Sequence, residues 1–418
     1  HGGDTQEWPE SPAGLGTGRL MPADLLDGVK VLDLGSGISA PWCSKILADY
    51  GAEVIKVEPP GTGDASRRMG PFADNDPDAE KSLTFLYLNI NKKGVTLDPS
   101  TVTGRKIFDR LLGDADVLVH NNPPAQSKEL GLDYDALARV NPGLVLTSIA
   151  PFGQTGPYKD FQATDIVTYA LSGLMYHSGD SDQPPLRNVL DQSFYVAGAN
   201  AASATQVALF ARLTSGEGQH VDVSAAECLG GHLVQPLPYY NYMGAVKGRR
   251  PVRGAGFEEL MPARDGYVAP SVQGSQPWST IAGLIGLEEL QDEKFATGAG
   301  RVAHGEELKE LLIKGLAQWD RMPLFLASGE NRLVFGMAQD AGDLVDCPHL
   351  QARGFFVDVE HPVAGRASYP GMAVRLPGED ITDSQPAPLL GQHNTEIFGQ
   401  ELGYSDQDLI LLRQHSVI

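Results

Sequence analysis

From residue 30 to residue 224, short apolar runs alternate with amphipathic stretches, and the period changes at glycines and capping residues. KVLDL (30–34) reads as a buried strand and APWCSKILADYG (40–51) as a helix stopped by Gly51. EVIKV (53–57) is the next strand. GVTLD (94–98) and ADVLVH (115–120) follow as strands around a helix over 104–112, and DYDALARVNPGLVLTSIAPFG (133–153) supplies another helix and strand. After Pro185, a strand end in LRNVL leads into a long helix over 192–213, rich in Ala, Gly and Ser, and then into the strand HVDVS. This alternation predicts a parallel α/β sheet covered on both faces.

The pattern changes near residue 239. YYNYMGAVKGRRPVRGAGFEELMPARDGYVAPSV is punctuated by Gly, Arg and Pro and holds a turn at RDG, with helices expected over 305–319 and 322–328. Two short helices are expected near the C-terminus, the first N-capped by Asn394, the second opened by Ser405 and Asp408 in capping-box spacing. The organisation that follows is a flexible tail at 1–21 and a large α/β domain at 22–230 completed by 365–418. A small domain at 250–345 is joined to it by linkers at 231–249 and 346–364.

Composition narrows the function. The 418 residues are 42% hydrophobic and 20% charged, ordinary for a globular protein. The most apolar long stretch, 196–213, is interrupted by Asn200, Ser203, Thr205, Gln206 and Arg212, so no membrane span is expected. A net charge of −21 argues against a nucleic-acid partner. Cys43, Cys228 and Cys347 are spaced for neither a disulfide framework nor a zinc site, which points to a reducing, cytoplasmic setting. The ten histidines show no metal-ligand spacing, so no metal is expected.

The first strand ends in a glycine turn that raises a chemical question. Gly35-Ser36-Gly37 with Ala40 nearly satisfies G-x-G-x-x-G/A, and Glu58 ends the next strand, where a dinucleotide fold keeps its ribose-binding acid. VLDLGSG also matches the opening of an adenosylmethionine motif, except that Ser39 replaces the third glycine. A third reading is steric: any strand that turns sharply into a helix favours glycine.

A longer set of segments bears on that choice. GVKVLDLGSGISAPWCSKILADYGAEVIKVEPPGTGD, LNINKKGVTLD, LGLDYDALARVNPGLVLTSIAPFGQTGP, DIVTYALSG, GEGQHVDVS, HLQARGFF and PAPLLGQHNTEIFGQELG occur in one order. Together, from about residue 28 to residue 418, they resemble the family III CoA transferases of the formyl-CoA and carnitine CoA transferase type. The resemblance implies a large Rossmann-like parallel-sheet domain plus a smaller α+β domain, an interlocked homodimer, and a glycine turn that serves CoA. It implies no permanently bound cofactor; coenzyme A and acyl-CoA are substrates, with a carboxylic acid as acceptor.

The resemblance also assigns residues. The family's catalytic aspartate falls on Asp191, at the start of the small-residue helix. An Asp there is ordinarily a cap; the helix dipole and free N–H groups also suit an ionised nucleophile and a developing oxyanion. The implied reaction passes CoA through an anhydride and an aspartyl-CoA thioester. CoA contacts are implied for Ile38, Ser39 and Ala40 in the first turn, for Leu97, Asp98, Pro99 and Ser100, for Asn121, Asn122 and Pro123, and for Lys128. Glu129 and Pro59 replace arginines of relatives, leaving Arg67, Arg68, Lys92 and Lys93 as candidate phosphate ligands or solvated charges. RGAGF (253–257) stands where relatives carry a glycine-rich flap. His393 and Glu396 are expected to stabilise the C-terminal turn, and His120 and His177 are candidates for the acyl pocket. α-Methylacyl-CoA racemases share the pattern but carry a His before a second Asp. Here Thr164 precedes Asp165, which favours transfer over racemisation and leaves Asp165 a backbone-bonding role. A racemase-type isomerase and a non-catalytic acyl-CoA-binding protein remain the alternatives.

Overall fold

The computed structural model describes residues 25–249, 260–271, 276–374 and 384–418. The tail expected at 1–21 and the loop at 253–257 lie outside the described residues. By internal contacts the chain forms two units. The first comprises the chain up to Asp160, Ala197–Val223 and Val357–Ile418; the second comprises Phe161–Val196 and Ser224–Phe356.

In chain order the elements that build the candidate site are β1 (Lys30–Asp33), α1 (Ser39–Asp49), β2 (Glu53–Glu58), α2 (Leu83–Leu88), β3 (Lys92–Thr96), α3 (Val102–Gly113), β4 (Val117–His120), α4 (Pro124–Glu129), α5 (Tyr134–Val140), β5 (Val145–Ala150), α6 (Asp165–Leu171), α7 (Gln192–Ser215) and β6 (His220–Ser224). The first unit holds a six-stranded sheet in the order β3-β2-β1-β4-β5-β6. β1 pairs in parallel with β2 and β4, β2 with β3, and β4 with β5, so that Leu32 stands beside Ile55 on one side and Leu118 on the other. Every residue of β4 and β5 is buried, as expected of parallel strands covered on both faces. The strand order reverses direction beside β1, which creates a switch point between β1 and β4.

Local chemistry sets the helices. Thr101 caps α3 by accepting from the Gly104 N–H, and Ile107, Phe108, Leu111 and Leu112 of α3 are buried against Leu137 and the C-terminal residues Ile397, Phe398, Leu409 and Leu412. Gly51, at φ 93°, ends α1 as expected. Small residues let α7 approach α1 at backbone distance. A Cβ on Gly198 would stand 2.5 Å from the Ser39 carbonyl oxygen, and Ala197, Ala201 and Ala208 are buried. The strand end expected in LRNVL is not formed: residues 184–188 are irregular and exposed, and 189–191 bend and turn into α7. Leu186, Val189 and Leu190 are apolar, but no strand among the described residues pairs with them.

The C-terminal segment covers β3, the edge of the sheet. His393 accepts from the Gly94 N–H at Nδ1 and donates its own N–H to the Gly94 carbonyl, both at 2.9 Å. Asn394 accepts from the Thr96 N–H and donates to the Thr96 hydroxyl. Asn394 therefore does not cap the helix at Thr395–Glu401, as its sequence position suggested; an unpaired strand edge competed for its side chain. Glu396 pairs with Lys93 at 2.9 Å. The Ser405–Asp408 capping box is present.

In the second unit, strands Met261–Ala263, Gly266–Ser271 and Val334–Met337 form an antiparallel sheet, with the first hairpin turning at Arg264–Asp265. Helices Trp278–Ile285, Gly305–Leu316 and Arg321–Glu330 pack on it through Trp278, Ile281, Leu312 and Leu324.

One buried arginine ties distant segments of the first unit together. Arg67 makes a two-point contact with Glu58 at 2.6 and 2.8 Å, reaches Glu80 at 2.6 Å and the Pro388 carbonyl at 3.0 Å, and lies 3.6 Å over the Phe85 ring. Arg67→Met would strand the Glu58 carboxylate in a fully buried site. The expected loss is about 3–5 kcal/mol of unfolding free energy, read from urea denaturation followed by circular dichroism.

Candidate functional site

Glycine is required in the turn after β1 for steric reasons. A Cβ on Gly35 would overlap the Ala40 side chain at 2.2 Å, and Gly37 has φ 76°. Three side chains hold the turn. Asp33 Oδ1 accepts from the Gly35 N–H at 2.9 Å, Asn121 Oδ1 from Ser36 at 2.8 Å, and Asp64 Oδ1 from Gly37 at 2.9 Å. Asn121 also donates to the Ser36 carbonyl at 2.6 Å. The amides that cradle a pyrophosphate in a dinucleotide fingerprint are thus already occupied. Glu58, at the ribose-acid position, is engaged by Arg67. Both facts weigh against an NAD-type site and leave the steric reading of the turn.

Beneath the turn lies a buried charge cluster. Lys56 pairs with Asp64 at 2.7 Å and Asp33 at 3.6 Å, and donates to the Gly35 carbonyl. Lys92 reaches Asp33 at 3.0 Å, the Pro41 carbonyl at 2.9 Å and Asn89 at 3.0 Å. Burial pushes the Asp33 carboxyl up, but the two lysines outweigh it and bring its pKa down to about 2. Burial and the like charge of Lys56 bring Lys92 down to about 8 against the pull of Asp33. Lys56 goes the other way: Asp33 and Asp64 overcome its burial and hold its pKa above the ordinary lysine value.

A cavity of about 720 Å³ opens at the C-terminal ends of β1 to β4, around the switch point. Leu97, Asp98, Pro99, Ser100, Asn121, Asn122 and Pro123 line it, so the structure brings these sequence-proposed positions together. Ile38, Ser39 and Ala40 do not line it; they are buried in the first turn of α1, beneath Asn121 and against α7. Lys128 is exposed on α4 and also lies outside the lining. Gly35, Ser36, Pro59, Gln126, Leu130 and Ser416 join the wall without having been singled out as contacts. Their shared signal is position just after a parallel strand, except for Gln126 and Leu130 around α4 and Ser416, which arrives from the far end of the chain.

The candidate phosphate ligands divide. Arg67 and Lys92 are buried in internal pairs, and Lys93 binds Glu53 and Glu396. Of the four, Arg68 is the exposed one. His120 is buried under the sheet end, accepts from the Asn122 N–H, and has its pKa lowered to about 3 by burial; it does not line this cavity. His177 lies in a short turn of 3₁₀ helix in the second unit, against Tyr176.

The start of α7 is built within the second unit. Leu190 and Asp191 both have left-handed backbone, at φ 56° and 51°, a conformation that costs a non-glycine residue about 1–3 kcal/mol. Asp191 is half-buried. Its carbonyl accepts from the Phe194 N–H at 3.0 Å, whereas its carboxylate has neither a hydrogen bond nor an ion pair among the described residues. The cap comes from elsewhere: buried Asp165, at the first position of α6, accepts from the Ser193 N–H at 2.9 Å. The expected stabilisation of Asp191 by these N–H groups is therefore replaced by capping from Asp165, which takes the backbone role that sequence assigned to it. Tyr195 follows one turn on; burial first, then the charge of Asp191, raises its phenol above the usual range.

A doubly wound sheet with a crevice at its switch point, and a glycine turn whose amides are already bound by side chains, define an α/β scaffold without the free fingerprint of a dinucleotide dehydrogenase. The chain belongs to CoA-transferase family III, whose model matches residues 26–394. It is 32% identical to the succinyl-CoA–D-citramalate CoA-transferase of Chloroflexus aurantiacus over 95% of this chain and 99% of that protein. It is 30% identical to the formyl-CoA:oxalate CoA-transferase of Streptomyces avermitilis over 94% and 99%. The crystal structure of a CAIB/BAIF family protein from Brucella suis superposes with a TM-score of 0.82 at 30% identity, covering 90% of this chain and 99% of that one. No helix among the described residues is long and apolar enough to cross a membrane.

The Asp33 shift has a sign that can be checked. Its folded pKa lies below the unfolded value, so its stabilisation is full above about pH 4 and is lost as pH falls through 2. Between pH 4 and pH 2 the wild type should lose about 2 kcal/mol more unfolding free energy than Asp33→Asn, measured by urea titration at each pH.

Proposed function

We propose that this chain is a CoA transferase that moves CoA from an acyl-CoA to a carboxylic acid through covalent intermediates on Asp191. The observation that carries the reading is the division of labour at α7: Asp165 caps the helix, and the Asp191 carboxylate, in a strained backbone, has no hydrogen bond or ion pair among the described residues. An aspartate whose only role was capping would accept those N–H groups itself.

In this mechanism an Asp191 oxygen attacks the thioester carbonyl of the donor. The C–S bond breaks, giving a mixed anhydride and CoA thiolate. The thiolate attacks the aspartyl carbonyl, forming an aspartyl-CoA thioester and releasing the donor acid as its carboxylate. The acceptor carboxylate then attacks that thioester carbonyl and expels the thiolate again. Attack of the thiolate on the acceptor's acyl carbon yields the new acyl-CoA and restores Asp191. Thioester energy is handed on at each step, and no proton need leave carbon. The Gln192 N–H, which has no partner among the described residues, is a donor for the oxyanion that develops at the Asp191 carbonyl. We assign the nucleotide end of CoA to the crevice at the switch point, with Asn121 and the Leu97–Ser100 turn as its walls. Thr164 in place of a basic residue, and Asp165 engaged with Ser193, favour transfer over racemisation.

We further propose a homodimer, interlocked as the resemblance implies. Val207, Phe210 and Leu213 form an exposed apolar row at helical spacing on α7, and Tyr242 is 88% exposed. Monomers seldom leave such surfaces uncovered.

Incubating the intact protein with a panel of acyl-CoAs should give a mass increase of one CoA less water, removable by hydroxylamine. Asp191→Ala should lose the adduct and lower turnover by about a thousandfold or more, with an unchanged circular dichroism spectrum. Light scattering should report twice the 44.7 kDa chain mass; a monomer at micromolar concentration would contradict the dimer.

A further inference from the structure

Arg187 lies four residues before Asp191 in the same exposed segment. Its side chain is 52% exposed, and its one ion contact among the described residues is with Asp165 Oδ2 at 3.8 Å, too long for a hydrogen bond. The other oxygen of Asp165 is the one that caps α7. The guanidinium is thus held by charge alone beside the first turn of α7, and its five donors make no hydrogen bond among the described residues. Arg249 of the same unit and Arg67 of the first unit differ. Arg249 donates to the carbonyls of Asp180, Tyr176 and Gln183, and Arg67 is saturated by Glu58, Glu80 and Pro388. Nor does Arg187 pair with Asp191, which stands beyond ion-pair distance, so it does not quench the nucleophile.

We propose that Arg187 is a specificity-determining residue that binds the far carboxylate of a dicarboxylic acid while the near carboxyl group reacts at Asp191. This rests on Asp191 being the nucleophile. A carboxylate that must attack a thioester is better left free of a guanidinium, which would withdraw its charge; a second carboxylate is the planar anion a guanidinium holds at two points. The segment between the two residues fits the remainder of such a molecule. Val189 and Leu190 are exposed apolar side chains, a surface for the methylene chain that separates two carboxyl groups. Arg187, Val189, Leu190 and Asp191 therefore present cation, apolar contact and nucleophile in the order in which a dicarboxylate presents anion, methylenes and reacting carboxyl.

The test compares glutarate with valerate, equal in carbon count, as acceptors for the full-length protein, using a donor from the panel that forms the adduct. The wild type should favour glutarate in kcat/KM. Arg187→Met should lower the glutarate-to-valerate ratio by about 10- to 100-fold, through the KM for glutarate, while valerate turnover and adduct formation stay unchanged. Arg187→Lys should recover part of the ratio. No preference in the wild type, an unmoved ratio in Arg187→Met, or an equal fall for both acids would overturn the assignment. If Arg187→Met is poorly folded, Arg187→Lys and Arg187→Gln carry the same comparison. Absence of any adduct in the wild type would fell the nucleophile reading as well, whereas an adduct with an unmoved ratio fells Arg187 alone.

Discussion

Asp33 sits at the end of the central strand between two buried lysines, and much of the site's geometry follows from that arrangement. Its two oxygens hold the Gly35 amide and the Ser44 hydroxyl at 2.9 and 2.7 Å and also face Lys56 and Lys92. Lys56 extends the cluster to Asp64, and Asp64 in turn holds the Gly37 and Ser66 amides. Removing Asp33 would leave Lys92, and removing Lys56 would leave Asp64, without its opposite charge in a fully buried site, which is far more costly than losing a surface pair. The glycine turn, the first turn of α1 and the loop after β2 are therefore set as one body, and the wall of the crevice inherits that rigidity.

This wiring explains why a near-match to a dinucleotide fingerprint can lie in a family that handles CoA. The fingerprint depends on free amides and a free acid. Here the amides are bound by Asp33, Asn121 and Asp64, and the acid by Arg67. The same glycines survive because Gly35 abuts Ala40 and Gly37 has positive φ, and both constraints come from the strand-to-helix turn itself. A crevice at the switch point remains, since it is a property of the strand order.

The opposite economy of contacts operates at α7. The helix receives its cap from Asp165, a residue remote in sequence, and the aspartate next to it is held in left-handed backbone, its carboxylate without a hydrogen bond or ion pair among the described residues. Strained backbone clusters at functional sites, and the left-handed conformation of Asp191 supports the role proposed for it. Arg187 shows the same feature in milder form: a full charge kept in place by one distant carboxylate.

The sequence alone determined the alternation of strands and helices in the large α/β part, the stop at Gly51, the Ser405 capping box and the register of motifs that marks the family. All of these rest on local periodicity, on backbone sterics or on spacing along one chain. What tertiary structure decided was the fate of side chains with more than one possible partner. Asn394 could cap a helix or bind a strand edge, and the open edge of β3 claimed it. Arg67, Lys92 and Lys93 read as free cations, but carboxylates brought in by other strands and by the C-terminal segment neutralise them. LRNVL carries strand-like residues yet forms no strand, because pairing requires a neighbour that local pattern cannot supply. Ser416 reaches the crevice wall only through the fold. Partner choice for a polar group is a competition among residues far apart in sequence, and only the folded chain settles which of them is near.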